Sequence, residues 1–131
     1  MTINVLIMAG GNGTRFWPVS TPKSPKQYIN LVGEDSLSQS SLKRSLQFAD
    51  AKDSYVVTVK AQAEIAKKHT QSLIPEGNLI FEPEGRNTAP CIFLSLLTLL
   101  KNGHSADECV AVLPSDHVIL DVNNFKHDLL L

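Results

Sequence analysis

A chain of 131 residues, 43% of them hydrophobic, has the length and apolar content for one packed domain, and its formal net charge of −1 supplies no basic field for nucleic acid. No apolar run approaches the ~20 residues of a membrane span, and no basic leader or cleavage site marks a signal peptide, so a cytoplasmic protein without membrane partners is expected. Cys91 and Cys109 lie inside apolar runs without the spacing of a disulfide framework or zinc site, and both read as reduced core thiols.

The first element is the mostly apolar run at 3–9, which predicts a strand covered on both faces. Residues 10–27 follow it directly and read GGNGTRFWPVSTPKSPKQ. The glycines at 10, 11 and 13 permit a tight turn and bring backbone N–H groups close to a ligand. Successive inward N–H groups form a concavity suited to anionic oxygens. Arg15, Lys23 and Lys26 follow, with no acidic residue before Glu34, so this turn reads as a phosphate cradle. Lys23 taken alone is as consistent with a solvated surface residue as with a ligand contact. Trp17 and Pro18 are expected to pack and brace the loop. The dinucleotide fingerprint fails because Phe16 stands where its third glycine belongs, and no Gly-Lys-Ser/Thr completes a Walker pattern.

Ser36 with Gln39 makes a capping box and predicts a helix over 37–48. A β-branched strand is expected at 55–59, then a helix over 61–72 stopped by Pro75 and Gly77. A third strand at 79–81 leads into the polar block 82–90. A Leu-rich helix over 89–101 closes at Asn102-Gly103, and a fourth strand at 109–113 runs into Pro114-Ser115-Asp116-His117. Residues 125–131 open a further helix.

Strands alternating with helices predict an α/β, Rossmann-like layered fold with a mainly parallel sheet. Ligands in such sheets bind beyond the carboxyl ends of the strands, where strand order reverses. Each chemically interesting cluster here follows a strand. The last helix looks interrupted at Asp128-Leu129-Leu130-Leu131. The expectation is that residues 1–131 are the N-terminal nucleotide-binding part of a domain whose remainder is absent.

The run Gly10–Ser20 with Pro25-Lys26-Gln27 resembles the signature of sugar nucleotidyltransferases, and most of all that of bacterial mannose-1-phosphate guanylyltransferases. Two further blocks carry the resemblance, Glu82-Pro83-Glu84-Gly85-Arg86-Asn87-Thr88-Ala89-Pro90 and Leu113-Pro114-Ser115-Asp116-His117. Together they span the chain. Where the family reads Trp-Pro-Leu-Ser-Arg, this sequence has Val19 and Thr21 in place of the leucine and arginine, so one positive charge is missing.

The resemblance implies a glycosyltransferase-A-like domain that, with Mg²⁺, joins GTP and mannose 1-phosphate into GDP-mannose and pyrophosphate. It assigns nucleotide contacts to Ala9, Gly10, Gly11, Gly13 and Thr14. Arg15, a fixed bidentate fork, suits the β- and γ-phosphates, and Lys26 suits the α-phosphate and the incoming sugar phosphate. Asp116 is a hard oxygen ligand for Mg²⁺, with a turn or N-cap role as its plainer alternative. Glu82, expected just past a strand end, can accept the paired N1–H and N2–H donors of guanine, with Glu84 as the fallback. Asn87 and Thr88 suit the base or ribose, or simple N-capping. His117 reads as a loop-packing or hydrogen-bonding residue. The sugar pocket is expected outside this sequence, and a homo-oligomer remains open. The competing readings are transfer to another sugar 1-phosphate or from another nucleotide, and a noncatalytic nucleotide-binding module.

Overall fold

A computed structural model describes residues 3–11, 13–31 and 33–130, with the Thr14 side chain outside that description. Four strands form one parallel sheet: β1 (Ile3–Met8), β2 (Ser54–Val59), β3 (Leu79–Glu82) and β4 (Cys109–Pro114). Their order is β3-β2-β1-β4, with Met8 level with both Val57 and Pro114, and Val59 level with Glu82. The carboxyl ends therefore share one edge. The helices are α1 (Leu37–Ser45), α2 (Ala63–Thr70), α3 (Thr88–Lys101) and α4 (Val122–Leu130).

Alternation along β1 explains the layers, because successive side chains leave opposite faces of the pleat. Val5 and Ile7 are fully buried in a core with Leu42 of α1 and Leu129 of α4. Leu6 is fully buried on the opposite face, with Tyr55, Val57 and Ile80 against Cys91 and Leu99 of α3. Each such aliphatic side chain contributes about 1.5–3 kcal/mol. Truncating Leu42, which joins α1 to the sheet, costs about 2–5 kcal/mol.

The expected fold class holds, and the capping box is made. Ser36 Oγ accepts from Gln39 N–H, and Gln39 Oε1 accepts from Ser36 N–H. Several boundaries differ. α1 ends at Ser45, before looser turns through Phe48. α2 begins at Ala63 because Lys60–Gln62 forms a 3-10 turn first. α4 begins at Val122 because Asp121 Oδ1 accepts from Asn124 N–H and caps the helix ahead of its apolar residues. Leu131 lies outside the described residues.

Two packing expectations are corrected. Trp17 is 77% exposed and Pro18 is exposed, so neither braces the loop. Buried Ser20 does so, its Oγ accepting from Phe16 N–H at 3.0 Å. Cys109, at the start of edge strand β4, is exposed, whereas Cys91 is buried. Among the described residues, no helix is long and apolar enough to cross a membrane.

Candidate nucleotide site

The chain runs outward from β1 through β2 to β3, then crosses back to lay β4 on the other side of β1. That reversal opens a crevice at the carboxyl ends of β1 and β4, where open α/β sheets bind ligands. A cavity of about 610 Å³ occupies this edge. Gly10, Gly11, Arg15, Lys26, Glu82, Asn87, Thr88 and Asp116 all line it. Gly13 lines an adjoining recess shared with Arg15, Lys26 and Asp116. Ala9 is fully buried behind the turn. Thr14 starts a 3-10 turn to Phe16, and the expectation for its side chain falls outside the described residues. Lys23 is exposed and does not line the cavity.

Gly13 is required by both conformation and space. Its φ of +53° is left-handed, and a Cβ there would lie 2.6 Å from the Lys26 backbone nitrogen. This approach presses the glycine turn onto the segment that carries Lys26. Pro25, with φ −61°, precedes a 3-10 turn over Lys26–Tyr28 and sets its start. Where the family arginine is replaced, Thr21 and Ser24 exchange backbone hydrogen bonds at 3.0 Å, and Thr21 Oγ1 also accepts from Ser24 N–H at 3.1 Å. The substitution thus leaves a closed turn ahead of Pro25.

Lys26 Nζ donates to Asp116 Oδ2, and the two form an ion pair across the mouth between β1 and β4. The same ammonium lies 5.8 Å from the Phe16 ring centroid. The hydrogen bond from Lys26 holds the Asp116 carboxyl below its ordinary range, so it is ionised at neutral pH. Asp116 Oδ1 is 3.1 Å from Nδ1 of exposed His117. The turn beneath is anchored to α1, where Ser41 Oγ donates to the Ser115 carbonyl and Arg44 Nη2 donates to the His117 carbonyl. Neither anchor was legible in the sequence, because their acceptors are backbone atoms 74 and 73 residues away.

The far wall is set by β3. Glu82 is its last residue, not a loop residue beyond it as expected, and is 5% exposed. Strand pairing to Val59 fixes its backbone, and its carboxylate approaches Gly10. Burial and the neighbouring Glu82 carboxylate push the Cys91 thiol up to about 11, so it stays protonated. Glu84 is exposed and does not line the cavity, although Arg86, with which it pairs at 2.6 Å, does. Asn87 makes no side-chain cap bond to α3 and has a φ of +69°.

A buried polar network behind the glycine turn also escaped sequence reasoning. Gln27 Nε2 donates to the Ala9 carbonyl at 2.8 Å and lies 3.1 Å from both the Gly11 carbonyl and Gln62 Oε1, which share its second N–H. Gln62 Nε2 donates to the Gly11 carbonyl at 2.9 Å. Thr58 Oγ1 is 3.2 Å from the Ala9 carbonyl and 3.1 Å from Gln62 Oε1.

Residues 4–129 match the family model described as Nucleotidyl transferase. The chain belongs to the nucleotidyl transferase family. Among its curated relatives, the xanthan biosynthesis protein XanB of Xanthomonas campestris is 41% identical over 92% of this chain and 26% of the relative. Mannose-1-phosphate guanylyltransferase RfbM of Salmonella typhimurium is 36% identical over 92% of this chain and 25% of the relative. This nucleotidyl transferase chain therefore spans about a quarter of the length of those relatives. The crystal structure of mannose-1-phosphate geranyltransferase from Thermus thermophilus superposes with a TM-score of 0.85 at 28% identity, over 99% of this chain and 37% of that one.

Proposed function

We propose that this chain supplies the nucleotide side of a mannose-1-phosphate guanylyltransferase site, in a cytoplasmic sugar-nucleotide pathway. The observation that carries the reading is the charge arrangement in one cavity, with Arg15, Lys26 and Asp116 towards β1 and β4 and buried Glu82 on the β3 side. A triphosphate needs cations and a base with paired donors needs a buried carboxylate. Mannose 1-phosphate enters as acceptor through the likeness to the Salmonella relative.

In the proposed reaction, a sugar phosphate oxygen attacks the α-phosphorus of GTP in line and pyrophosphate leaves. Arg15 holds the departing phosphates, and Lys26 neutralises charge where attack occurs. Among the described residues, no three His, Cys, Asp or Glu side chains converge as a ready metal cage. A lone carboxylate nevertheless fits Mg²⁺, which is commonly held by one or two carboxylates plus substrate phosphates. Asp116 would hold the ion, which supplies charge neutralisation at the phosphates. Its pairing with Lys26 means that nucleotide and metal together must exchange that ion pair for two new ones.

For the 131-residue chain itself, the proposed readout is weak nucleotide binding without GDP-mannose formation. Calorimetric titration with GTP and ATP, each with Mg²⁺, tests it. GTP should bind in preference to ATP. Glu82→Gln turns a donor towards guanine's own donors and should erase the preference, because unpaired buried polar groups discriminate strongly. Glu84→Ala, at an exposed ion pair, should leave the preference intact. Asp116→Asn should raise the Mg²⁺ needed for binding. Equal affinity for ATP and GTP, or a preference that survives Glu82→Gln, would exclude the guanine reading.

A further inference from the structure

Gln27 and Gln62 are 2% and 7% exposed, and Thr58 is fully buried. Three polar side chains from separate elements are spent on two carbonyl groups of one short turn. The Ala9 carbonyl lies within bonding distance of Gln27 Nε2 and Thr58 Oγ1, and the Gly11 carbonyl of Gln27 Nε2 and Gln62 Nε2. A carbonyl oxygen has two lone pairs. The amide N–H groups of Gln27 reach both carbonyls, Gln62 adds an N–H at Gly11, and the single Thr58 hydroxyl proton is shared between the Ala9 carbonyl and Gln62 Oε1. This matters in a glycine turn, where peptide planes otherwise rotate at little steric cost.

The geometry of the trans peptide converts this into an aim. Its C=O and the following N–H point in opposite directions. Drawing the Ala9 carbonyl inward turns the Gly10 N–H away from the buried side, and Gly10 lines the cavity. Donors fixed before an anion arrives need no reorganisation when it binds.

Resting on the nucleotide reading above, we infer that Gln27, Gln62 and Thr58 form a positioning clamp on the glycine turn. The clamp governs recognition of the phosphate chain and leaves recognition of the base to the β3 side. Gln62 and Thr58 are the informative members because neither lines the cavity.

Binding of inorganic tripolyphosphate with Mg²⁺, and separately of guanosine, distinguishes the clamp from a general stabilising network. In Gln62→Met and Thr58→Val, tripolyphosphate affinity should fall about tenfold or more, the weight of one hydrogen bond to a charged group. Guanosine affinity should stay unchanged. Thr58→Ser, which keeps the hydroxyl, should restore tripolyphosphate binding. If Gln62→Met does not fold, the Thr58 pair decides the matter. Equal losses for both probes, or an unaltered tripolyphosphate affinity in folded variants, would overturn the clamp. A wild-type chain that binds GTP but not tripolyphosphate would overturn the clamp alone, whereas one that binds neither would remove the nucleotide reading as well.

Discussion

The two ends of the sheet carry similar polar chemistry arranged to opposite purposes. At the carboxyl end, Glu82, Asp116, Lys26 and Arg15 face a cavity of about 610 Å³. At the amino end, Glu108 Oε2 accepts from Asn4 Nδ2 at 2.6 Å and lies 2.8 Å from His104 Nδ1. His104 Nε2 lies in turn 2.8 Å from the Tyr55 hydroxyl, and Glu108 Oε1 accepts from Ser105 N–H. These bonds hold the Glu108 carboxyl down to about 2. The same bonds form a knot that ties β1, β2 and the α3–β4 loop together around a small recess of about 160 Å³ lined by Asn4, His104 and Glu108, and they leave Asn4 Oδ1 buried without a partner. Groups left to face open space, or paired across a cleft mouth, are available to a ligand. The number of titratable residues does not separate a site from a staple; where their remaining bonding capacity points does.

The sharpest way to break this contrast is at the carboxyl end. In a protein of the curated relatives' length, Lys26→Ala or Arg15→Ala should cut GDP-mannose formation by ~10²–10³, about 3–4 kcal/mol of barrier, with little change in thermal stability. Near-native turnover in both would mean that the cations do not serve the phosphates. Gly13→Ala should cost about 2–3 kcal/mol of stability, since its Cβ would meet the Lys26 nitrogen at 2.6 Å in a left-handed conformation. Denaturant melting reads that loss, and an unchanged midpoint would refute the close packing of the turn on Lys26.

The amino end yields a smaller, pH-dependent effect. Glu108 is held near 2 against an ordinary 4.5, so its contribution to stability is complete above about 4.5 and is lost as pH falls towards 2. Glu108→Gln should destabilise the chain at neutral pH, and the gap to wild type should close across that window. GTP affinity should not change. A stability gap constant from neutral pH to below about 4 would show that the carboxylate charge is not what the knot uses.

The sheet and the site residues were legible to different depths. Parallel strands followed from β-branched runs spaced by helical segments, and the positions of the glycine turn and Asp116 followed from where those runs end. Local chemistry also gave the Ser36 box. The last helix was expected to open at Phe125 but begins at Val122, because the Asp121 carboxylate, which the apolar pattern does not register, accepts from Asn124 N–H. Trp17 and Cys109 were misplaced because burial of a loop tip or an edge-strand start depends on what lies across the fold, not on neighbouring letters. Gln27 was visible as part of a motif, but its work was not, since its acceptors on Ala9 and Gly11 lie 18 and 16 residues back in the chain. Gln62 carries no local signal at all, and its partner on Gly11 is 51 residues away.

Trp17 is the chain's one tryptophan, and its indole stands 77% exposed two residues past Arg15. Selective excitation therefore reports from a single place, beside the cavity-lining cations Arg15 and Lys26. Its emission in the free chain should be that of a water-bathed ring, red-shifted and open to collisional quenching by both iodide and acrylamide. Iodide is charged and acrylamide is neutral, so the ratio of their quenching constants is a voltmeter for the arginine and lysine charge nearby. A polyphosphate that neutralises those cations, as the proposed site requires, should lower the iodide constant while leaving the acrylamide constant alone, giving an optical titration that needs no dye, no isotope and no turnover.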